Sequence, residues 1–197
     1  VHYYKDILNG QVNVGSKVAV IGAGGIGFDV AEFLVTGNYR DGNFQPLPEW
    51  MTEWGIGDPE LFRGGLLANG SSPKQAKRKV YLLQRKAQKM GKNLGKTTGW
   101  IHRAALKKRG VQMVSGVTYH SICDHGLYIS RDHGKETPEL LEVDNVVLCA
   151  GQISNSDLYN DLKSSGFDCH LIGGAKHADE LDAKRAIDQG TRLALSI

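Results

Sequence analysis

Three glycines, Gly22, Gly24 and Gly27, follow the apolar run Val18-Ala19-Val20-Ile21 and open the apolar-periodic stretch from Ile26 to Val35. The spacing is Gly-x-Gly-x-x-Gly, set between a buried strand and a helix. That is the context in which such a turn holds the pyrophosphate of a dinucleotide. Gly22 permits the tight turn. Gly24 leaves the backbone bare where a side chain would occupy the phosphate's place. Gly27 lets the helix sit close to the strand. The unpaired N–H groups and the positive dipole end of that helix then face the anion. The competing reading is a glycine-rich turn between strand and helix with no ligand.

A second strand, Lys79–Gln84, bears on which dinucleotide fits. In NAD-binding units of this kind an acidic residue at the end of that strand bonds the ribose 2′-hydroxyl. Here the strand runs out as Leu83-Gln84-Arg85-Lys86, with no carboxylate. Arginine offers a planar fork and lysine a point charge, both suited to a 2′-phosphate. Two charge-assisted contacts of about 1.5–3 kcal/mol each favour NADP over NAD by the order of 10²–10⁴. A solvated basic loop is the alternative.

The elements that must position these residues are legible along the chain. Residues 1–15 read as a lead-in with turns at Asn9-Gly10 and Gly15. Lys17–Ile21 is the first strand and Gly25–Thr36 the first helix. Residues 37–78 form a long insertion rich in glycine and proline, which excludes a long helix; its Trp50, Trp54 and Phe62 require cover. A second helix is expected over Thr97–Arg109, capped by Thr97 or Thr98 and stopped at Gly110. Val111–Val114 is a third strand. The runs Val117–Cys123, Leu127–Arg131 and Leu140–Val143 read as an antiparallel meander. Asn145–Ala150 is a buried strand. A separate tail holds a short strand, His170–Ile172, and a helix from about Asp179 to Ile197. The pattern predicts a doubly wound parallel α/β sheet with the meander as a crossover, plus a C-terminal βα unit.

Composition narrows the function classes. The chain has 197 residues, 25 of them glycine, and a net charge of +3, too small to mark the whole chain as a nucleic-acid binder. Basic residues still cluster between Lys74 and Lys96 and suit phosphates as well as a solvated face. No apolar run approaches the ~20 residues of a membrane span. The start at Val1 resembles neither an initiator Met nor a signal peptide, so an excised or processed chain is expected. Cys123, Cys149 and Cys169 are far apart, which argues against a zinc knuckle, a cluster ligand set or a dithiol in this chain. Low cysteine use favours the cytoplasm. No residue presents itself as a general acid, base or nucleophile.

Several runs carry a resemblance. They are Gly22-Ala23-Gly24-Gly25-Ile26-Gly27-Phe28-Asp29-Val30-Ala31-Glu32-Phe33-Leu34, Glu53-Trp54-Gly55-Ile56, Gln84-Arg85-Lys86, Leu94-Gly95-Lys96-Thr97-Thr98-Gly99-Trp100-Ile101-His102-Arg103 and Leu181-Asp182-Ala183-Lys184-Arg185-Ala186-Ile187-Asp188-Gln189-Gly190. Together they resemble the C-terminal region of bacterial NADPH-dependent 2,4-dienoyl-CoA reductase, across essentially the whole chain. The resemblance implies an oxidoreductase of fatty-acid β-oxidation in which a barrel domain carries FMN and a 4Fe-4S cluster. It also implies a disulfide-reductase-like FAD domain into which an NADPH domain is inserted. Residues 16–152 would be the NADPH-binding domain, and 153–197 the last βα segment of the FAD-binding domain. The remaining FAD and barrel domains would be this region's partners, with no nucleic acid or membrane. The isolated chain is then expected to be colourless and inactive.

The resemblance also implies roles residue by residue. Gly22, Ala23, Gly24, Gly25, Ile26 and Gly27 match the phosphate turn, and Gln84, Arg85 and Lys86 the 2′-phosphate site. Trp100 either flanks the nucleotide or packs within the second helix. Ala150, Gly151 and Gln152 match a turn whose backbone approaches the cofactor. Gly173, Gly174, Ala178, Asp179 and Glu180 match the strand–helix joint that touches FAD, whose free N–H groups would serve the flavin's polar portion. Gly174 is followed by Ala175, so no aspartate is available there for the ribityl chain. Asp182 and Lys184 are equally well helix-surface residues. Two other readings stand beside this one. In a trimethylamine dehydrogenase-like flavoprotein the same region holds ADP structurally, which Arg85-Lys86 argues against. A non-catalytic nucleotide-binding interaction module is the third. An uncovered tail with Leu171, Ile172, Leu181, Ile187 and Leu193 would drive the isolated chain to dimerise through residues 170–197 or leave the tail mobile.

Overall fold

The computed structural model describes residues 1–36, 45–72, 74–131, 133, 135, 137–179 and 182–197. They form two compact units, residues 1–150 and 151–197. The first unit is built on a five-stranded parallel sheet in the order β1-β8-β2-β3-β4. Its strands are β1 (His2–Tyr3), β2 (Lys17–Ile21), β3 (Lys79–Gln84), β4 (Gln112–Ser115) and β8 (Asn145–Leu148). Between β4 and β8 the chain makes a three-stranded antiparallel meander, β5 (Thr118–Cys123), β6 (Gly126–Ser130) and β7 (Glu139–Glu142). The expected doubly wound sheet with its meander crossover is therefore present. The lead-in differs from expectation. It holds β1 and a short helix α1 (Tyr4–Leu8), because His2 and Tyr3 find a free edge beside Val147 and Leu148 of β8.

Alternation along the central strands makes two cores. Val18 and Val20 of β2, Val80 and Leu82 of β3 and Val147 of β8 face helix α2 (Gly25–Thr36), where Phe28, Val30, Ala31, Leu34 and Val35 are buried. Ala19, Tyr81, Leu83 and Val146 face the other way, onto Val117, Leu127, Ile129, Leu141 and Val143 of the meander. A parallel strand covered on both faces reads as a continuous apolar run. For that reason Val18–Ile21 and Lys79–Gln84 are found where expected.

The second large helix, α4 (Gly99–Lys108), is shorter than the expected span. Thr98 occupies its N-cap position but makes no side-chain cap bond. Gly110, in the left-handed region at φ 73°, follows its end as expected. Part of the insertion, residues 37–44 and Pro73, lies outside the described residues. The rest contains helix α3 (Leu47–Trp54) and a single 3-10 turn, with Ile56 bridged to Leu66. The Trp54 ring is covered by Lys108 of α4, whose ammonium lies 4.0 Å from the ring centroid. Trp50 lies 6.3 Å from Trp54 and stays 43 % exposed. A buried ion pair fastens α3 to the first residue after α4: Arg109 Nη2 reaches Glu53 Oε1 at 2.5 Å. Gln45 Nε2 donates to the other Glu53 oxygen at 2.8 Å.

The second unit is helical in its described residues, with α5 (Asp157–Ser164), α6 (Gly173–Lys176) and α7 (Ala183–Ala194). Two expectations are corrected here. Residues 170–172 form no strand, since no strand among the described residues pairs with them; Ile172 is extended at φ −136° and ψ 170°. The last helix begins at Ala183 rather than Asp179. The Asp182 side chain accepts the Arg185 N–H at 2.8 Å and caps the helix there. Glu180 and Leu181 lie outside the described residues. Helix α5 was not expected. It ends at Gly166, at φ 81°, where the Phe167 N–H returns to the Leu162 carbonyl at 3.0 Å.

Candidate functional site

The turn after β2 is clamped between its neighbours. Gly22 sits at φ 112°, and its N–H donates to the Leu83 carbonyl of β3 at 3.0 Å. A Cβ on Gly22 would lie 2.8 Å from the Cys149 carbonyl group, on the chain leaving β8. A Cβ on Gly27 would lie 1.7 Å from the Gly22 carbonyl oxygen and 3.5 Å from Leu82. The third glycine is thus needed because the helix rests on the turn itself. At Gly24 and Gly25 an added Cβ meets nothing within 4 Å. The bare backbone there opens into space, which is the fit a pyrophosphate requires. The Phe28 N–H bonds back to the Gly24 carbonyl at 3.1 Å and starts the helix. The N–H groups before it have no acceptor within the helix. No acidic residue lies in the first turn of α2 to oppose an anion.

Arg85 and Lys86 leave β3 two and three residues after Leu83, whose carbonyl accepts the Gly22 N–H. Both are exposed, and neither enters an ion pair among the described residues. Their charges are available to a phosphate. Gln84 is placed differently from them. Its Nε2 donates to the Lys86 carbonyl at 2.6 Å and to the Gln88 carbonyl at 3.0 Å. Sequence reasoning missed Tyr119, half-buried on β5. Burial pushes its phenol up to about 12, with the Arg85 charge acting in the opposite direction. The phenol is therefore a protonated donor within electrostatic reach of Arg85. Only the meander crossover brings the two together, so local sequence held no signal of it.

The loop beyond is anchored on α2 and α4. Met90 and Gly91 are buried, a Cβ on Gly91 would touch Phe28 and Leu94, and Arg103 Nη1 donates to the Gly91 carbonyl at 3.1 Å. Trp100, in the first turn of α4, is 60 % exposed, so its ring is not packed in the helix core. Ala150 follows Cys149, whose N–H donates to the Ile21 carbonyl at 2.8 Å. Burial pushes the Cys149 thiol up to about 12, which keeps it an unreactive thiol. A cavity of about 510 Å³ lined by Phe33, Trp50, Trp54 and Ile101 contains none of the candidate residues.

In the second unit, Gly151 is left-handed at φ 79° and Gln152 is exposed. Two of the N–H groups expected to serve a flavin are already engaged. Gly173 donates to Gln189 Oε1 at 2.7 Å and Ala178 to Ser154 Oγ at 2.9 Å. These two donors do not fit a flavin contact. Gly174 sits in the four-residue helix α6, and Asp179 is exposed beyond it. Arg185 ties the joint together: its guanidinium donates to the His177 and Asp179 carbonyls, both at 2.6 Å.

Comparison with known proteins agrees with this geometry. A "Metal reductase" from Desulforamulus reducens is 26 % identical over 170 residues, covering 86 % of this chain and 23 % of that protein. Among solved structures, a 2-naphthoyl-CoA reductase complex superposes with a TM-score of 0.62 at 22 % identity, over 98 % of this chain and 23 % of the other. Histamine dehydrogenase from Rhizobium sp. 4-9 matches with a TM-score of 0.62 at 17 % identity, over 98 % and 26 %. Thioredoxin reductase from T. acidophilum matches at 0.52 and 16 %, over 99 % and 55 %. The chain spans about a quarter of the length of the first three. At these identities the structural likenesses establish the fold: an α/β domain with a parallel and an antiparallel sheet, as in disulfide-reductase nucleotide-binding domains. The profile described as Pyridine nucleotide-disulphide oxidoreductase matches residues 4–183, nearly the whole chain, and the chain therefore belongs to that family.

Proposed function

We propose that this chain is the NADPH-binding part of a larger flavin oxidoreductase that resembles 2,4-dienoyl-CoA reductase. The observation that carries the reading is the pairing of an open, carboxylate-free turn at Gly22–Gly27 with the cations Arg85 and Lys86, which enter no ion pair among the described residues. Gly24 and Gly25 leave room for the pyrophosphate. Arg85 and Lys86 neutralise the 2′-phosphate, and Tyr119 supplies a neutral donor beside Arg85. Trp100 offers an exposed ring face to the nucleotide. Bound NADPH supplies the hydride that the whole enzyme would use to reduce an unsaturated acyl-CoA. FAD, FMN and the 4Fe-4S cluster belong, on this reading, to domains beyond these residues. Residues 16–152 are the NADPH-binding domain, with Ala150, Gly151 and Gln152 as the turn whose backbone approaches the cofactor, and 153–197 are the C-terminal segment of the FAD-binding domain, with Gly174 and Asp179 on the flavin side. The "Metal reductase" and the naphthoyl-CoA reductase, by their names, also carry out reductions, which is in keeping with an electron-delivery role.

Titration of the chain with NADPH, NADH and ADP tests this. NADPH is expected to bind tightest, by about 10²-fold or more over NADH. Arg85→Asp with Lys86→Ala is expected to abolish the difference chiefly through weaker NADPH binding. Equal affinities for NADPH and NADH in the unaltered chain overturn the reading. ADP binding as tight as NADPH would favour a structural nucleotide site instead.

A further inference from the structure

We infer that Gln84 is a positioning residue that sets coenzyme choice by holding the Arg85–Lys86 turn closed, rather than by touching the coenzyme. The inference rests on the 2′-phosphate reading above. The Gln84 amide lies between two carbonyl oxygens, Lys86 O at 2.6 Å and Gln88 O at 3.0 Å. Both partners are acceptors only, so the atom between them must be the NH₂ nitrogen. Both its protons are engaged within the loop, and a phosphate cannot claim them without breaking those bonds.

The backbone of the same residue is fixed from the other side. The Gln84 carbonyl accepts the Val117 N–H at 3.0 Å, at the start of the meander. The Lys86 carbonyl also faces the Gly116 N–H at 3.4 Å. The near end of the loop is therefore closed chiefly by the Gln84 side chain acting from a fixed strand end, with the longer Gly116 bond beside it. The far end is held separately, by buried Met90 and by Arg103 on the Gly91 carbonyl. Loss of the Gln84 amide loosens the five residues between these anchors, Arg85 to Lys89, and the two candidate 2′-phosphate cations stand at the end nearest the lost bonds.

This position is the strand end, where an acidic residue reads a ribose 2′-hydroxyl in NAD-binding units. A carboxylate has no proton to donate and would face two carbonyl oxygens. It cannot close this loop. A closed cationic turn and an acidic residue at position 84 are then mutually exclusive, and one residue couples the shape of the loop to the coenzyme it accepts.

The test uses the full chain and the ratio of NADH to NADPH dissociation constants, together with mass-mapped trypsin cleavage after Arg85 and Lys86. Gln84→Met keeps the length and removes the donors. It is expected to lower the ratio about tenfold, the equivalent of one weakened charge-assisted contact, and to speed cleavage at both sites. Gln84→Glu adds a repelling charge and is expected to lower the ratio further. Should the Met variant fail to fold, Gln84→Asn, which keeps the donors but falls short of the carbonyls, is expected to act like it. A preference for NADPH that survives in these variants overturns the inference and leaves the 2′-phosphate reading standing. A lowered ratio with unchanged cleavage overturns it as well, since Gln84 would then contact the coenzyme directly. If the unaltered chain does not discriminate, the underlying reading fails and this inference with it.

Discussion

A methyl group added at Gly27 meets the Gly22 carbonyl oxygen at 1.7 Å, whereas one added at Gly24 meets nothing within 4 Å. Two glycines three residues apart in the same motif thus serve different ends, one packing and one access. Gly27→Ala forces the helix off its turn and is expected to cost about 1–3 kcal/mol or more, as overpacked sites do. Gly24→Ala is expected to leave the melting temperature within a degree or two while weakening NADPH binding at least about tenfold. Thermal melts and coenzyme titration of both variants check this. A Gly24→Ala chain that binds like the parent would mean that no phosphate approaches the backbone there. At this scale much of the site was legible: the glycines, the missing carboxylate at the end of β3 and the basic pair all stand in local sequence. The two hydrogen bonds of Gln84 to its loop and the nearness of Tyr119 to Arg85 were not. Both depend on geometry that a strand end and a distant meander create only once folded.

Among the elements, α4 and the insertion are joined by charge as well as by ring contact. Arg109 and Glu53 have side chains only 10 % and 6 % exposed, and Gln45 completes the Glu53 carboxylate. Removing one partner leaves a buried charge unpaired, so Arg109→Met is expected to destabilise by about 3–5 kcal/mol. Replacing both, as Glu53→Leu with Arg109→Met, is expected to recover most of that loss, because the apolar pair has no charge to desolvate. Urea unfolding of the two single variants and the double variant measures it; additive losses would show that the residues act independently. The long central strands were readable because burial on both faces removes alternation and leaves unbroken apolar runs. The elements that were misread are those decided by partners. His2–Tyr3 becomes a strand because an edge is free beside β8. Residues 170–172 do not, because no strand lies beside them among the described residues. Asp182 starts α7 four residues later than the apolar pattern suggested, since a cap depends on one side-chain bond and not on periodicity.

Across the whole molecule, every residue of the phosphate turn and the basic loop falls in the unit of residues 1–150. The second unit contributes none of them. Residues 1–150 alone are therefore expected to bind NADPH within about twofold of the full chain, a difference of only a few tenths of a kcal/mol. Isothermal titration of the shortened chain checks this. A loss of tenfold or more would place part of the nucleotide site in residues 151–197.

The register of β2 carries a consequence for how the protein is made. Val18–Ile21 pairs with Asn145–Leu148, and Gly22 packs against Cys149. The Gly15 N–H reaches Asn145 Oδ1, 130 residues further on. All the glycines of the turn and both cations precede residue 87 and are therefore synthesised before β8. The wall that shapes their turn arrives only with the last strand of the sheet. Contacts so distant in sequence close late, because loop entropy must be overcome before they form. A ribosome would thus carry the complete motif for some sixty residues before the turn has its wall, so a nucleotide taken up there would lock a finished domain rather than template its early folding.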